Sequence, residues 1–91
     1  MTSFARRVYK VVLSIPFGQV RSYKWVARKA GSPRAYRAVG SLLKKNPCPF
    51  MIPCHRVVRS DSDIGGYVFG RKFKRKILDL EKRMSWFLKR Q

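Results

Sequence analysis

The chain has 91 residues, 45% of them apolar, with 22 Lys or Arg against four Asp or Glu and a formal charge of +18 at pH 7. That length suits one small domain, near the lower limit at which a single core suffices, and no stretch is long or uncharged enough to span a membrane. Residues 1–60 hold thirteen Lys or Arg and no acid, while Asp61, Asp63, Asp79 and Glu81 all fall in the last third. Such a chain repels itself unless a polyanion is near. Nucleic acid is the expected partner, because each phosphate neutralised releases a condensed counterion; an acidic membrane surface or plain solubility are the bland alternatives. Arg6 and Arg7 precede only a short, interrupted apolar run, Val11 to Phe17, so no secretory signal is expected and a cytoplasmic location follows by default.

Taken in order, Thr2 or Ser3 caps a first helix whose Phe4, Val8, Val11, Val12 and Ile15 keep helical spacing, and Pro16 and Gly18 end it in a turn. Ser22 caps a short second helix with Tyr23, Val26 and Ala27 on one side, closed by Gly31. Ser32-Pro33 opens a third helix, cap then proline at the first helical position, running to about Asn46. Two short helices around a tight glycine turn, the second rich in arginine, predict a helix-turn-helix. Pro47, Pro49 and Pro53 impose an extended loop, Val57-Val58 predicts a short strand, and Ser60 to Gly66 is turn chemistry. A final helix begins near Phe69 or Gly70, with Phe73, Ile77, Leu80, Met84 and Leu88 as its apolar stripe and Lys and Arg on the other face. The predicted fold is mainly α, a small winged-helix-like helix-turn-helix domain with a Pro-rich active-site loop, a short strand and a long C-terminal helix.

The segment Ile52-Pro53-Cys54-His55-Arg56-Val57 carries the candidate chemistry. A free cysteine is more often a small buried hydrophobe than a nucleophile, and Cys48 is read that way. Without a secretory signal a disulfide between Cys48 and Cys54 is not expected, and His55, the sole histidine, leaves too few ligands for zinc. Around Cys54 the neighbouring positive charge favours thiolate over thiol. A nucleophile also needs a base and a group that orients that base; among the four carboxylates Glu81, on the final helix, is the one expected to turn inward.

These residues form a wider pattern. Ile52 to Val57 resembles the active-site motif of the O6-alkylguanine-DNA alkyltransferases. Ile15-Pro16-x-Gly18-x-Val20-x-Ser22-Tyr23 resembles that family's approach to its helix-turn-helix, Arg37-Ala38-Val39-Gly40 its recognition helix, and Asn46-Pro47-x-Pro49 its hinge before the cysteine. Gly66-Tyr67 and Lys74-x-x-Ile77-Leu78-x-x-Glu81 resemble its closing loop and helix, in the family's order from about Phe4 to Glu81. The resemblance implies that Cys54 attacks the alkyl carbon on guanine O6, with His55 as base through a water and Glu81 holding His55. Tyr23 would assist the departing guanine, Asn46 would pin the turn around the active-site loop, and Tyr67 would line the base pocket. The thioether is stable, so the protein is spent after one repair. The target base must be flipped out of the duplex. The family does this from the minor groove: Ala38, Gly40 and Ser41 allow close approach and Arg37 fills the gap in the stack. Read without the resemblance, Arg37 is one more phosphate contact, and Lys24, Arg28, Lys44 and Lys45 are phosphate contacts or solvated charge.

Three departures qualify the resemblance. Many members carry an N-terminal domain, sometimes with a structural zinc; here residues 1–91 are expected to form one domain without it, and no metal or other cofactor is implied. Phe69 stands where the family has a glycine, and is expected to narrow the alkyl pocket, the alternative being packing against the last helix. The tail from Lys82 to Gln91, with Trp86, Phe87 and Leu88, extends past the match and is expected to pack. The resemblance thus implies a single-turnover methyltransferase acting on duplex DNA that contains O6-alkylguanine, a monomer with no membrane partner, in the cytoplasm of a prokaryote or the nucleus of a eukaryote. Two other classes compete: a non-catalytic alkyltransferase-like protein that binds and flags the lesion, in which tryptophan usually replaces the cysteine, and a plain helix-turn-helix module with an inert cysteine.

Overall fold

The structure is a computed structural model; it describes residues 2–45, 52–59, 65, 67 and 69–89. Helix α1 (Ser3–Leu13) starts where the Thr2 hydroxyl accepts from the Ala5 amide at 3.1 Å. That bond satisfies one of the donors that every helix start leaves over. Its apolar spacing buries Ala5, Val8, Tyr9 and Val12, and Ile15 follows them inward. Helix α2 (Tyr23–Lys29) is capped by Ser22, whose hydroxyl accepts from the Trp25 amide at 3.0 Å. Arg7 of α1 reaches the far end of α2, donating through Nε to the Ala30 carbonyl at 2.9 Å. A cation there complements the helix dipole and occupies a carbonyl the helix leaves over.

Gly31, at φ +84°, turns the chain toward the third helix. Helix α3 spans Tyr36–Lys44 and is preceded by Ala35 with no side-chain cap, so Ser32-Pro33 does not open it. The physical reason is local: the Ser32 amide is taken by the Ala27 carbonyl and the Ala35 amide by the Ser32 carbonyl, both at 2.9 Å. Residues 32–35 thus close a turn of their own, a place where proline is equally at home. Helix α2 packs between α1 and α3. Val8, Val12, Val26, Val39 and Val57, all 0% exposed, form the centre of the core, each contributing about 1.5–3 kcal/mol of burial.

Beyond α3 the described chain resumes at Ile52. Cys54–Arg56 form one turn of 3-10 helix, followed by strand β2 (Val57–Val58). Its partner, strand β1 (Arg21–Ser22), runs parallel to it with Arg21 opposite Val57 and Ser22 opposite Val58. Two residues are too few to show alternation, so β1 was not legible in sequence. Helix α4 (Arg71–Lys89) closes the fold. Its inward side is not the predicted stripe: Leu80, Met84 and Leu88 are exposed, Phe73 is half-exposed and stacks on the Tyr67 ring at 6.4 Å, Ile77 packs against the core, and the buried residues are Lys74 and Glu81. The expected packing of the tail also fails, since Trp86 and Phe87 are more than half exposed. The mainly α helix-turn-helix architecture is as predicted, with α2 and α3 as the helix pair.

Candidate active site

Cys54 is set by its proline. Pro53 adopts φ −77° and ψ 63°, and the Cys54 amide donates to the Ile52 carbonyl at 2.7 Å, an inverse γ-turn. Proline holds φ in that range by its ring, so one of the turn's two central dihedrals is fixed before folding. The 3-10 turn that follows is tied by the Arg56 amide to the Pro53 carbonyl at 3.0 Å and by the Val57 amide to the Cys54 carbonyl. Both Cys54 and His55 are buried, 3% and 2% exposed.

Helix α4 supplies the groups that face this turn. His55 Nε2 lies 2.8 Å from Glu81 Oε2. Arg56 adds a fork on the same carboxylate, Nε to Oε1 at 3.0 Å and Nη2 to Oε2 at 3.1 Å. Burial pushes Glu81 up, but hydrogen bonds from Arg56 and His55 outweigh it and hold the carboxyl below its ordinary range. For His55 the order is reversed. Burial lowers it more than the Glu81 hydrogen bond raises it, and the charges of Arg56 and Lys74 lower it further. The pair is therefore a neutral imidazole donating from Nε2 to a carboxylate, which leaves the ring lone pair on Nδ1.

Two turns of helix earlier and on the same side, Lys74 is 0% exposed and donates from Nζ to the Val57 carbonyl at 2.6 Å. Its ammonium also stands over the Tyr23 ring, 5.7 Å from the centroid. Tyr23 is the first residue of α2, and its ring lies between two glycines. A Cβ on Gly40 of α3 would stand 3.9 Å from it, and one on Gly65, where φ is +75°, would meet its hydroxyl at 2.6 Å. A side chain at Gly65 is thus refused both by backbone and by space. Tyr67 is buried, edge-on to His55 at 6.3 Å between centroids. Burial first, then the nearness of Cys54 and Glu81, pushes its phenol up to about 12, so it keeps its proton. Its hydroxyl has no hydrogen-bond partner among the described residues.

The fold thus brings together Cys54, His55, Glu81 and Tyr67, with Tyr23 joined through Lys74. Arg37, Ala38 and Ser41 lie on the exposed side of α3, with Gly40 half-buried toward Tyr23. Phe69 is half-exposed and edge-on both to Tyr67, at 5.6 Å, and to Phe73 of α4, at 5.8 Å. It therefore packs on the last helix while touching the ring of Tyr67. Asn46 lies outside the described residues, as do Cys48 and Gly66. Sequence reasoning missed Arg56 and Lys74 as parts of the site. The signal for Lys74 was its spacing from Ile77, Leu78 and Glu81, which puts all four on one face. Among the described residues no cluster of His, Cys, Asp or Glu could hold a metal ion, and no helix is long and apolar enough to cross a membrane.

The sequence profile of the 6-O-methylguanine DNA methyltransferase DNA-binding domain matches residues 3–83. The chain belongs to that family. Family relatives include a methylated-DNA–protein-cysteine methyltransferase of Methanosarcina barkeri, 46% identical over 80 residues, covering 88% of this chain and 51% of that protein. Another, from Rattus norvegicus, is 49% identical over 69 residues, covering 75% of this chain and 33% of its own length. Among solved structures, Mycobacterium tuberculosis OGT in complex with DNA superposes with a TM-score of 0.88 at 43% identity, over 91% of this chain and 52% of that one. S. pombe Atl1, in complex with damaged DNA containing O6-carboxymethylguanine, gives 0.79 at 31% identity over 89% of this chain and 77% of its own. The chain spans about half the length of the curated methyltransferases it matches.

Proposed function

We propose that this chain repairs DNA by moving the alkyl group of an O6-alkylguanine onto Cys54, once per molecule. The observation that carries the reading is the buried Cys54–His55 turn held by Glu81 and roofed by Tyr67, on a domain whose exposed α3 face is basic and small-featured. In the step, the thiol proton passes toward the His55 lone pair through a water and the Cys54 sulfur attacks the alkyl carbon. The S–C bond forms as the C–O6 bond breaks, and the guanine leaves with the electron pair, Tyr23 donating a hydrogen bond to it. Proton transfer back to the purine completes the balance: thioether and guanine from thiol and alkylguanine. Asn46 is assigned to pinning the turn before the cysteine, and Tyr67 and Phe69 to shaping the base pocket, where the Phe69 ring limits bulky adducts.

The partner is duplex DNA, approached from the minor groove, with Ala38, Gly40 and Ser41 against the groove floor and Arg37 in the stack of the flipped base. Residues 1–91 hold every group that this chemistry uses, and the unit acts as a monomer. Binding should weaken steeply as salt rises, because it rests on phosphate contacts. A second reading is lesion binding without transfer, since the same fold, in S. pombe Atl1, is seen in complex with damaged DNA containing O6-carboxymethylguanine.

Intact-protein mass spectrometry after incubation with a duplex carrying one O6-methylguanine separates the two. One added methyl, missing in Cys54→Ala although that variant still binds, is the expected result. Tight lesion-selective binding with no change of mass would establish the second reading instead.

A further inference from the structure

The turn that ends α1 takes part in the site, although it lies nearly forty residues before Cys54 in sequence. Arg56 donates from Nη1 to the Ile15 carbonyl at 3.0 Å, and the Phe17 ring covers its guanidinium, 5.5 Å from the centroid. The same turn lies flush on α4. Gly18 has φ +81°, and a Cβ there would meet Ser85 Cβ at 2.5 Å and Oγ at 2.7 Å. So the turn 15–18 holds Arg56 on one side and lies against α4 on the other, and Arg56 spans from the Ile15 carbonyl to the Glu81 carboxylate.

We infer that Arg56, clamped by the Ile15–Gly18 turn beneath Phe17, is a positioning residue that shares Glu81 with His55 and thereby holds the carboxylate so that the imidazole keeps its proton on Nε2. The inference rests on the proposed alkyl transfer and deepens it. Two physical effects combine. First, the bidentate fork of a guanidinium fixes the plane of a carboxylate, as a single hydrogen bond from a histidine does not. That fixes which oxygen faces Nε2. Second, a buried carboxylate alone beside a histidine draws it into the charged form. An imidazolium has no lone pair and cannot accept the thiol proton. The Arg56 charge offsets part of that pull and adds to the larger lowering by burial, so His55 remains a base near neutral pH, where general bases are most useful. The other groups facing His55 are Cys54 on its own turn, Tyr67 across its ring, and Lys74 and Glu81 on α4. Tyr67 stays neutral, and Lys74, which donates to the Val57 carbonyl, lowers His55 in the same direction as Arg56, so its charge adds to that of the fork.

His55 is the sole histidine of the chain, so its ring nitrogen signals in a ¹⁵N NMR titration are unambiguous. In the unaltered protein the expected result is a neutral Nε2–H tautomer that persists below the pH at which a free histidine titrates. A ring found charged at neutral pH, or carrying its proton on Nδ1, overturns the inference without any variant. In Arg56→Met the midpoint should move to higher pH. The transfer rate should then fall several-fold at mildly acidic pH and much less at alkaline pH, where the ring is neutral in either protein. Arg56→Lys should restore the midpoint, and Phe17→Ser should move it part-way by admitting water. A folded Arg56→Met protein whose His55 titrates as before overturns the role and leaves Arg56 merely structural. The NMR readout needs neither DNA nor alkylguanine. Failure of the transfer reading would appear as an unmodified mass with the His55 titration still as described.

Discussion

Helices α1 and α4 both carry a clear apolar stripe, yet only α1 buries the one it carries. In α1 the buried set is Ala5, Val8, Tyr9 and Val12, the side that helical periodicity selects. In α4 the buried residues are Lys74 and Glu81, while Leu80, Met84 and Leu88 are exposed and Phe73 is half-exposed against Tyr67. The difference lies in the opposing surface. Helix α1 meets an apolar wall, Val26, Ala27 and Ala30 of the α2 segment, and area removed from water decides the matter. Helix α4 meets a turn that presents a histidine, a guanidinium and a backbone carbonyl, and an apolar face laid there would leave those groups without partners. Unpaired buried polar groups cost about 1–3 kcal/mol each, and more for charges. Three such groups outweigh a stripe that would gain only partial burial against a small domain. Periodicity therefore names the buried face of a helix only where its neighbour is apolar.

The strongest test of that contrast is at Glu81. Replacing it with Gln keeps the volume but leaves Arg56 and His55 without a charged partner. The expected loss is about 3–5 kcal/mol in denaturant unfolding, with alkyl transfer falling far more than DNA binding. Equal loss of both in a folded variant would mean that α4 is only a scaffold. The matching change on α1, Val12→Ala, should cost about 2 kcal/mol through lost burial and the cavity left behind, and should leave the pH dependence of stability unaltered.

Acid should act on α4 and spare α1. His55 is held below its ordinary range, so the unfolded chain binds a proton that the folded one refuses, and stability falls as the pH drops through the range of a free histidine, near 6.5. Glu81 is likewise held low; its contribution is complete above the unfolded carboxyl value of 4.5 and is lost as pH falls through the lower folded value. Thermal melts between mildly alkaline and acid pH should show both declines, and Glu81→Gln should lack the second. Melting temperatures flat across that range would contradict a neutral His55 beside an ionised Glu81. The smallest effect is expected on the outward face of α4. Met84→Ser should change stability by no more than about 0.5 kcal/mol, whereas a loss above about 1 kcal/mol would show that this face is covered in solution.

Much of the site was legible because it is local. Pro53-Cys54-His55 is one uninterrupted segment, and its turn follows from the proline ring and two short-range hydrogen bonds. The caps at Thr2 and Ser22 were legible for the same reason. Helix α3 began later than Ser32-Pro33 suggested, because two turn hydrogen bonds competed successfully for those residues. Glu81 could be nominated by scarcity of acids and by resemblance, but its meeting with His55 across 26 residues is a tertiary event.

The sequence by itself thus determined the helical units, the basic exposed face of α3 and the chemistry available at residues 53–57, since each depends on neighbours a few positions away. Only the tertiary structure decided that Lys74 is buried, that Arg56 stands between the α1 turn and Glu81, and that Gly65 makes room for the Tyr23 hydroxyl. Those outcomes depend on which polar groups confront one another once the chain is compact. A buried charge is settled by the partners it finds there, and no local pattern of residues encodes them.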